Sequence, residues 1–485
     1  MRTQLSLYLR AFVLISGLAG AALAQDIGPL VEISLPNAVG SCNTGFNAFG
    51  TWPMDEAEEP FVAVNPIHPN NFVVAWIQDD FEDIIAATSF DGGQSWQQVA
   101  IPLTVCSGGS FLVIADPWIS FAPDGTLYAV ALTTNSLSFP SKFVDQIMVA
   151  KSTDGGLHWS TLSAVPGSDT VDPYADHPSL SADPTDARFV YVIWNGSPSS
   201  HSSAAVFTRT TDGGLTWEPA RAIVQTASQG YIQFSQILVL PDGTLLDIFE
   251  FCSEQPKKPI IFTNLQVIRS TDRGQTWSSP INAVAMTPLY RPSGNTLVVD
   301  PETGQFVADV TNPSFTVDGR NGNLYAVWED GRFSNFQYND IAFSMSADGG
   351  LTWSAPMRVN QTPLNIPPAD RQAFFPSIAV KTKGTIGVSY YDFRFNDPNP
   401  GLPTDRWLVQ CEPSTTNPAT NPACWGNEVR LTNNSFNMEA VLPIIPNGFF
   451  LGDYFGLAAS DDFVATFTAV DSQNVTSIFA RRVGP

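Results

Sequence analysis

Apolar residues along this chain gather in short runs that alternate with polar ones, and the runs come in pairs. The first run of each pair follows a proline or a polar residue, at 60–64, 117–121, 178–181, 234–238, 313–317 and 376–380. The second follows a turn, at 71–76, 125–130, 189–194, 243–248, 322–328 and 384–390. A period of two, bounded by Gly, Asp, Asn and Pro, is the pattern of strands rather than helices. The six pairs therefore predict an all-β chain built from one repeated sheet. A seventh set follows at 454–459, 463–467 and 476–480, with no fourth strand behind it. Residues 31–35 are expected to supply that strand, closing the ring and removing an exposed sheet edge.

Five of the units carry a second signal. Segments 89–96, 152–159, 210–217, 270–277 and 346–353 all read Ser/Thr-x-Asp-x-Gly-x-x-Trp. Their aspartates (Asp91, Asp154, Asp212, Asp272 and Asp348) lie 63, 58, 60 and 76 residues apart, an interval that suits one four-stranded propeller blade with some extra loop. The residue types suit a tight turn. Ser/Thr and Asp bond to nearby amides, Gly accepts a positive φ, and Trp folds back to bury a large apolar area.

This motif resembles the Asp-box of the sialidase superfamily, and the resemblance implies a β-propeller over nearly the whole mature chain. In sialidases the boxes lie on the propeller edge, away from substrate, so the five box aspartates are left out of the candidate site. Seven blades are the preferred count and six the alternative, six being the number in sialidase catalytic domains.

Composition narrows the setting. A basic leader with Arg2 and Arg10, an apolar stretch from Ala11 to Ala24 and the ending Ala22-Leu23-Ala24 read as a secretory signal peptide over 1–24, cleaved before Gln25. Residues 25–485 read as one domain, with long insertions near 285–312 and 395–425. The formal net charge of −23 argues against nucleic acid and anionic membrane as partners. The expected location is secreted or periplasmic and the expected state a monomer. Five cysteines fit an oxidising compartment. Cys411 and Cys424 flank a Pro/Thr/Asn-rich loop and form the first expected bridge, Cys42 with Cys106 the second, leaving Cys252 free. The four histidines make no recognisable catalytic pair and lack zinc-ligand spacing, so no metal ligand set and no organic cofactor is assigned.

Candidate chemistry lies where loops enter first strands and leave second strands, because those loops line a propeller's central mouth. The entering loops carry Glu58, Glu59, Asp116, Asp176, His177, Arg371 and Asp453. The leaving loops carry Asp79, Asp80, Asp83, Glu250, Glu329, Asp330, Arg332, Tyr391, Asp392 and Arg394. The acidic-then-Arg pattern of 328–332 and 390–394 has two readings, a carboxylate–guanidinium brace within each loop or an arginine cluster aimed at an anionic ligand. Sialidases hold the substrate carboxylate with three arginines, the first in a Phe/Tyr-Arg-Ile-Pro motif. Here the matching stretch is Glu58-Glu59-Pro60-Phe61, and no arginine occurs between Arg10 and Arg188. A glutamate in that place repels a carboxylate, which argues against a conventional exo-α-sialidase.

Three functions remain. The first is a glycoside hydrolase of altered specificity acting on extracellular glycans. Asp80 or Asp116 would be its proton donor, Asp176 or Glu329 its base or nucleophile, and Tyr391 (with Tyr390 and Tyr454) the match to the sialidase tyrosine. Glu58, Glu59, Arg332, Arg371, Arg394, Asp392 and Asp453 would bind the ligand. The second is a non-catalytic glycan- or protein-binding propeller, with Trp118, Trp194, Trp328 and Tyr391 free to stack on sugars. The third is a calcium-stabilised scaffold using Glu58, Glu59, Asp79, Asp80 and Asp83 as oxygen donors.

Overall fold

The computed structural model describes residues 26–36, 38–46, 54–79, 81–137, 146–171, 175–199, 202–226, 230–253, 262–289, 298–307, 312–441, 443–445 and 448–484. The leader expected at 1–24 lies outside them. The protein is an all-β propeller of seven blades.

Blade 1 runs outward through Ala57–Val64, Phe72–Gln78, Asp83–Ser89 and Gln97–Ala100, all antiparallel. Blades 2 to 6 repeat the order with innermost strands Val113–Phe121, Asp176–Ala182, Gly230–Val239, Ser314–Val317 and Ala373–Val380. Blade 7 holds Leu457–Ala459, Phe463–Val470 and Thr476–Val483, and its outermost strand is Ile27–Glu32 from the other end of the chain. The closing strand thus begins four residues earlier than the alternation at 31–35 suggested. Beyond it Ile33 still bonds across to Ile478, but its side chain turns under blade 1 into the core. A small extra sheet of Phe306–Val307, Pro443–Ile445 and Gly448–Phe449 joins two of the connecting segments.

Apolar faces of neighbouring blades supply the core. Trp76, Trp194 and Trp328, at equivalent ends of three second strands, are fully buried there, so neither Trp194 nor Trp328 can stack on a sugar. Burying an aromatic of this size stabilises by about 3 kcal/mol or more.

The five repeated turns join the third and fourth strands at the outer rim, and each closes on itself. The Ser/Thr hydroxyl donates to the Asp carboxylate at 2.7–2.9 Å. It accepts the amide four residues on at 2.8–3.0 Å. The same carboxylate accepts a further amide at 2.8–3.0 Å. The second glycine is required twice over. Gly156 sits at φ +97°, and a Cβ there would stand 2.9 Å from Val73 of the preceding blade.

Disulfides join Cys42 to Cys106 and Cys411 to Cys424, while Cys252 is a buried free thiol. No helix of the described residues is long and apolar enough to cross a membrane.

Candidate functional site at the central mouth

Strict alternation fails at one ring position. In blades 1, 2, 3, 4 and 6 the pairing of the inner two strands skips a residue, between Glu58 and Phe61, Ala115 and Trp118, Asp176 and Ser179, Gln233 and Gln236, and Phe374 and Ser377. Inside each bulge one non-glycine residue takes positive φ: Glu59 (56°), Asp116 (54°), His177 (47°), Phe234 (55°) and Phe375 (50°). A bulge re-aims its side chain, and a positive φ outside glycine is strain that surrounding structure must hold. His177, Phe234 and Phe375 thereby line an axial cavity with Asp453 and Tyr454 of blade 7.

Polar side chains from neighbouring blades hold these bulges. The Asp116 carboxylate accepts the His177 amide at 3.0 Å, Glu59 accepts the Asp453 amide at 3.0 Å, and Glu329 accepts the Phe375 amide at 2.5 Å. These bonds tie blade 2 to blade 3, blade 1 to blade 7 and blade 5 to blade 6.

Five ionisable groups converge at the mouth. His177 places Nδ1 3.1 Å from Asp176 and Nε2 3.0 Å from Asp453. Asp176 keeps half of its side chain in solvent, whereas His177 retains 11 %. Burial alone would lower the imidazole, but Asp176 and then Asp453 outweigh it and hold His177 well above its usual range. Burial, then the charge of Asp176, pushes the Asp116 carboxyl up to about 7. Burial, then Asp453 and Asp116, raises Glu59 well above the ordinary carboxyl range. One oxygen each from Glu59, Asp116 and Asp453 lies within 4.8 Å of the others, close enough to share a cation.

The sequence reading placed several residues differently. Tyr391, a nucleophile candidate, is fully buried between blades 6 and 7 and donates its hydroxyl to the Thr468 carbonyl at 2.7 Å, where no substrate reaches. Glu329, a base candidate, is 1 % exposed and occupied by the Phe375 amide. Asp80 lies outside the described residues.

None of the three arginines lines the axial cavity. Arg332 pairs with Asp330 at 2.8 Å and reaches Ala285, on the outer strand of blade 4. Arg394 pairs with Asp392 at 2.7 Å and Glu428 at 2.6 Å and stacks on Trp407. Arg371 donates to the Ile366 carbonyl at 2.8 Å. Asp392 is likewise engaged, accepting from Trp407 of blade 6 and from Thr362 on the segment that joins blade 5 to blade 6.

The acidic set proposed for calcium divides as well. Asp79 caps the Asp55 amide and Asp83 accepts from Ser107, so of that set Glu59 alone belongs to the convergent trio. Glu58 is buried beside Glu59 in the same bulge. Sequence reasoning found no histidine pair, yet His177 joins two carboxylates. Asp176 next to it was a readable signal, but the pairing of His177 with Asp453, 276 residues away, was not.

No protein-family model and no curated protein matches the chain. Solved structures of similar shape include a Hadza microbial sialidase, 14 % identical, with a TM-score of 0.46 over 86 % of this chain and 74 % of that one. An α-L-arabinofuranosidase from Fusarium graminearum is 13 % identical, with a TM-score of 0.44 over 76 % and 93 %. A polysaccharide lyase is 11 % identical, with a TM-score of 0.47 over 94 % and 97 %. These three are glycan-acting enzymes by description, and the likeness to each is one of overall shape.

Proposed function

We propose that the chain is an extracellular glycoside hydrolase of altered specificity working at the central mouth, with Asp116 as proton donor and Asp176 as base or nucleophile. The observation that carries this reading is the contrast between two neighbouring carboxyls. Asp116 is 5 % exposed and raised to about 7, so it holds a proton near neutral pH. Asp176 stands half in solvent beside His177. In glycosidases one carboxyl of a pair gives a proton to the leaving oxygen and the other acts as base or nucleophile. As the glycosidic C–O bond breaks, Asp116 gives its proton to the departing oxygen. Asp176 either attacks the anomeric carbon or takes a proton from the water that does. His177, held by Asp176 and Asp453, orients the Asp176 carboxylate.

Against a conventional sialidase stand the glutamates at 58 and 59 and the three arginines engaged elsewhere. A second reading, binding without cleavage, draws on the Phe61–Trp118 stack in the channel wall, with ring centroids 3.7 Å apart. Sugar release from a panel of sialosides and neutral and amino-sugar polysaccharides tests the proposal. Release by the parent and none by Asp176→Asn is the expected result. Free sialic acid, or no release from any substrate by a folded sample, refutes it.

A further inference from the structure

Several buried polar atoms at the mouth, most of them acceptors, have no partner. Asn312, 7 % exposed, gives its amide nitrogen to the Asp453 carbonyl, which leaves its Oδ1 buried and without a partner. Asp453 Oδ1 and Glu59 Oε2 are buried and unpartnered as well, and so is the Tyr454 hydroxyl. Leaving several such atoms unmet is costly, at about 1–3 kcal/mol each. Asn312, Asp453 and Tyr454 line one cavity of about 60 Å³. Its wall continues through Phe61, Trp118 and Gln236 into a second cavity of about 240 Å³ farther down the axis. Among the described residues, no lysine or arginine lines either cavity.

The walls are aromatic. Trp118 stacks on Phe61, Tyr454 meets Trp118 edge-on at 5.6 Å, and Phe234 meets His177 at 4.6 Å. Aromatic faces attract a cation through the ring quadrupole.

We propose that this cavity receives a protonated primary amine, so that the glycan acted on is a polymer of hexosamines with free amino groups. The inference rests on the hydrolase reading above and names its substrate class. An ammonium group brings three N–H donors and one positive charge, matching the open acceptors of Asn312 and Asp453 in the cavity wall. An N-acetyl group brings a single N–H donor and no charge, and a carboxylate would set acceptor against acceptor. A hard divalent cation would suit the carboxylate trio but takes six to eight oxygen ligands and gains no ligand from aromatic walls.

Calorimetric titration of the parent with a glucosamine hexamer, an N-acetylglucosamine hexamer and calcium chloride, each at mildly acidic pH, tests the inference. Tighter binding of the amine hexamer by at least tenfold is expected. Asn312→Leu should lower that affinity about tenfold while leaving the N-acetyl hexamer unchanged, with a melting curve to verify folding. Equal affinities, a preference for the N-acetyl form, or binding of calcium without the amine would overturn it. If the amine hexamer binds but is never cleaved, the ligand assignment stands and the hydrolase reading falls. If a neutral glycan is cleaved and the amine hexamer does not bind, the reverse holds.

Discussion

The outer rim and the central mouth use the same residue type to opposite ends. At the rim, each repeat aspartate is half-buried or exposed and surrounded by donors from its own turn, as at Asp212, which accepts from Thr210, Leu215 and Thr216. At the mouth, Asp116 and Asp453 are drawn together from different blades and meet other carboxylates. The rim turn is local and self-satisfied, with the same residue types each time; the mouth is assembled at long range, from a recurring bulge whose side chain differs from blade to blade. Repetition therefore marks the scaffold here, and the departures from it mark the chemistry.

Four experiments sharpen or break that contrast. The largest effect belongs to the mouth. Asp176→Asn and Asp116→Asn should each lower glycan release by about 10²–10⁴-fold in folded samples, the usual contribution of an acid or base group. Loss of release in Asp212→Asn instead would erase the distinction between the regions.

Next comes the scaffold. Trp159, 9 % exposed and packed between blades, should cost about 3–5 kcal/mol as Trp159→Ala in urea unfolding. A loss below about 1 kcal/mol would show that the repeat tryptophans do not carry the inter-blade packing.

The third concerns pH, where the two regions should pull in opposite directions. Asp116 has a folded value of about 7, above its unfolded value near ~4, so the native state binds the extra proton between those limits. Its contribution to stability is full below that window and is lost as pH rises through it, by up to about 1.4 kcal/mol per pH unit. Asp212 is lowered to about 2, first by the Thr216 hydroxyl and then by the Thr216 amide, so its contribution is lost as pH falls below the ordinary carboxyl range. Melting curves from pH 3 to 8 should show both limbs. Asp116→Asn should flatten the upper limb alone, and Asp212→Asn the lower alone.

The smallest effect is Asp212→Ala, expected at about 1 kcal/mol, because solvent replaces the hydrogen bonds of an exposed turn. A loss comparable with Trp159→Ala would mean that the turn governs blade assembly.

Much of the scaffold is legible in the amino-acid pattern. Alternating runs locate the inner two strands of six blades, and the repeated turn marks five of the outer hairpins, because both depend on contacts within a few residues. The same alternation puts the closing strand four residues late, since it continues past Glu32 although Ile33 leaves the sheet for the core. At the site, Glu59, Asp116, Asp176 and Asp453 are readable as loop carboxylates near first strands. Tyr391 and Glu329 carry the same sequence signal, yet one hydroxyl faces the Thr468 carbonyl and the other carboxylate the Phe375 amide. Arg332 and Arg394 look equally suited to a ligand or to a brace, and only partners distant in sequence, Ala285 and Glu428, show what they touch.

By itself, then, the sequence determined the kind of fold, its repeat and its acidic character. Those properties follow from period, turn chemistry and composition, each encoded within a few neighbouring residues. The tertiary structure alone decided which acidic groups face one another. Closing seven blades into a ring brings Glu59, Asp116, His177 and Asp453 to one axis across 394 residues of chain. A bulge at positive φ then turns Glu59, Asp116 and His177 away from the faces that strict alternation would have given them. Burial at the axis raises the Asp116 and Glu59 carboxyls, and exposure at the rim leaves Asp212 to its donors. Ring closure and burial are long-range outcomes, and no local pattern of residues records them.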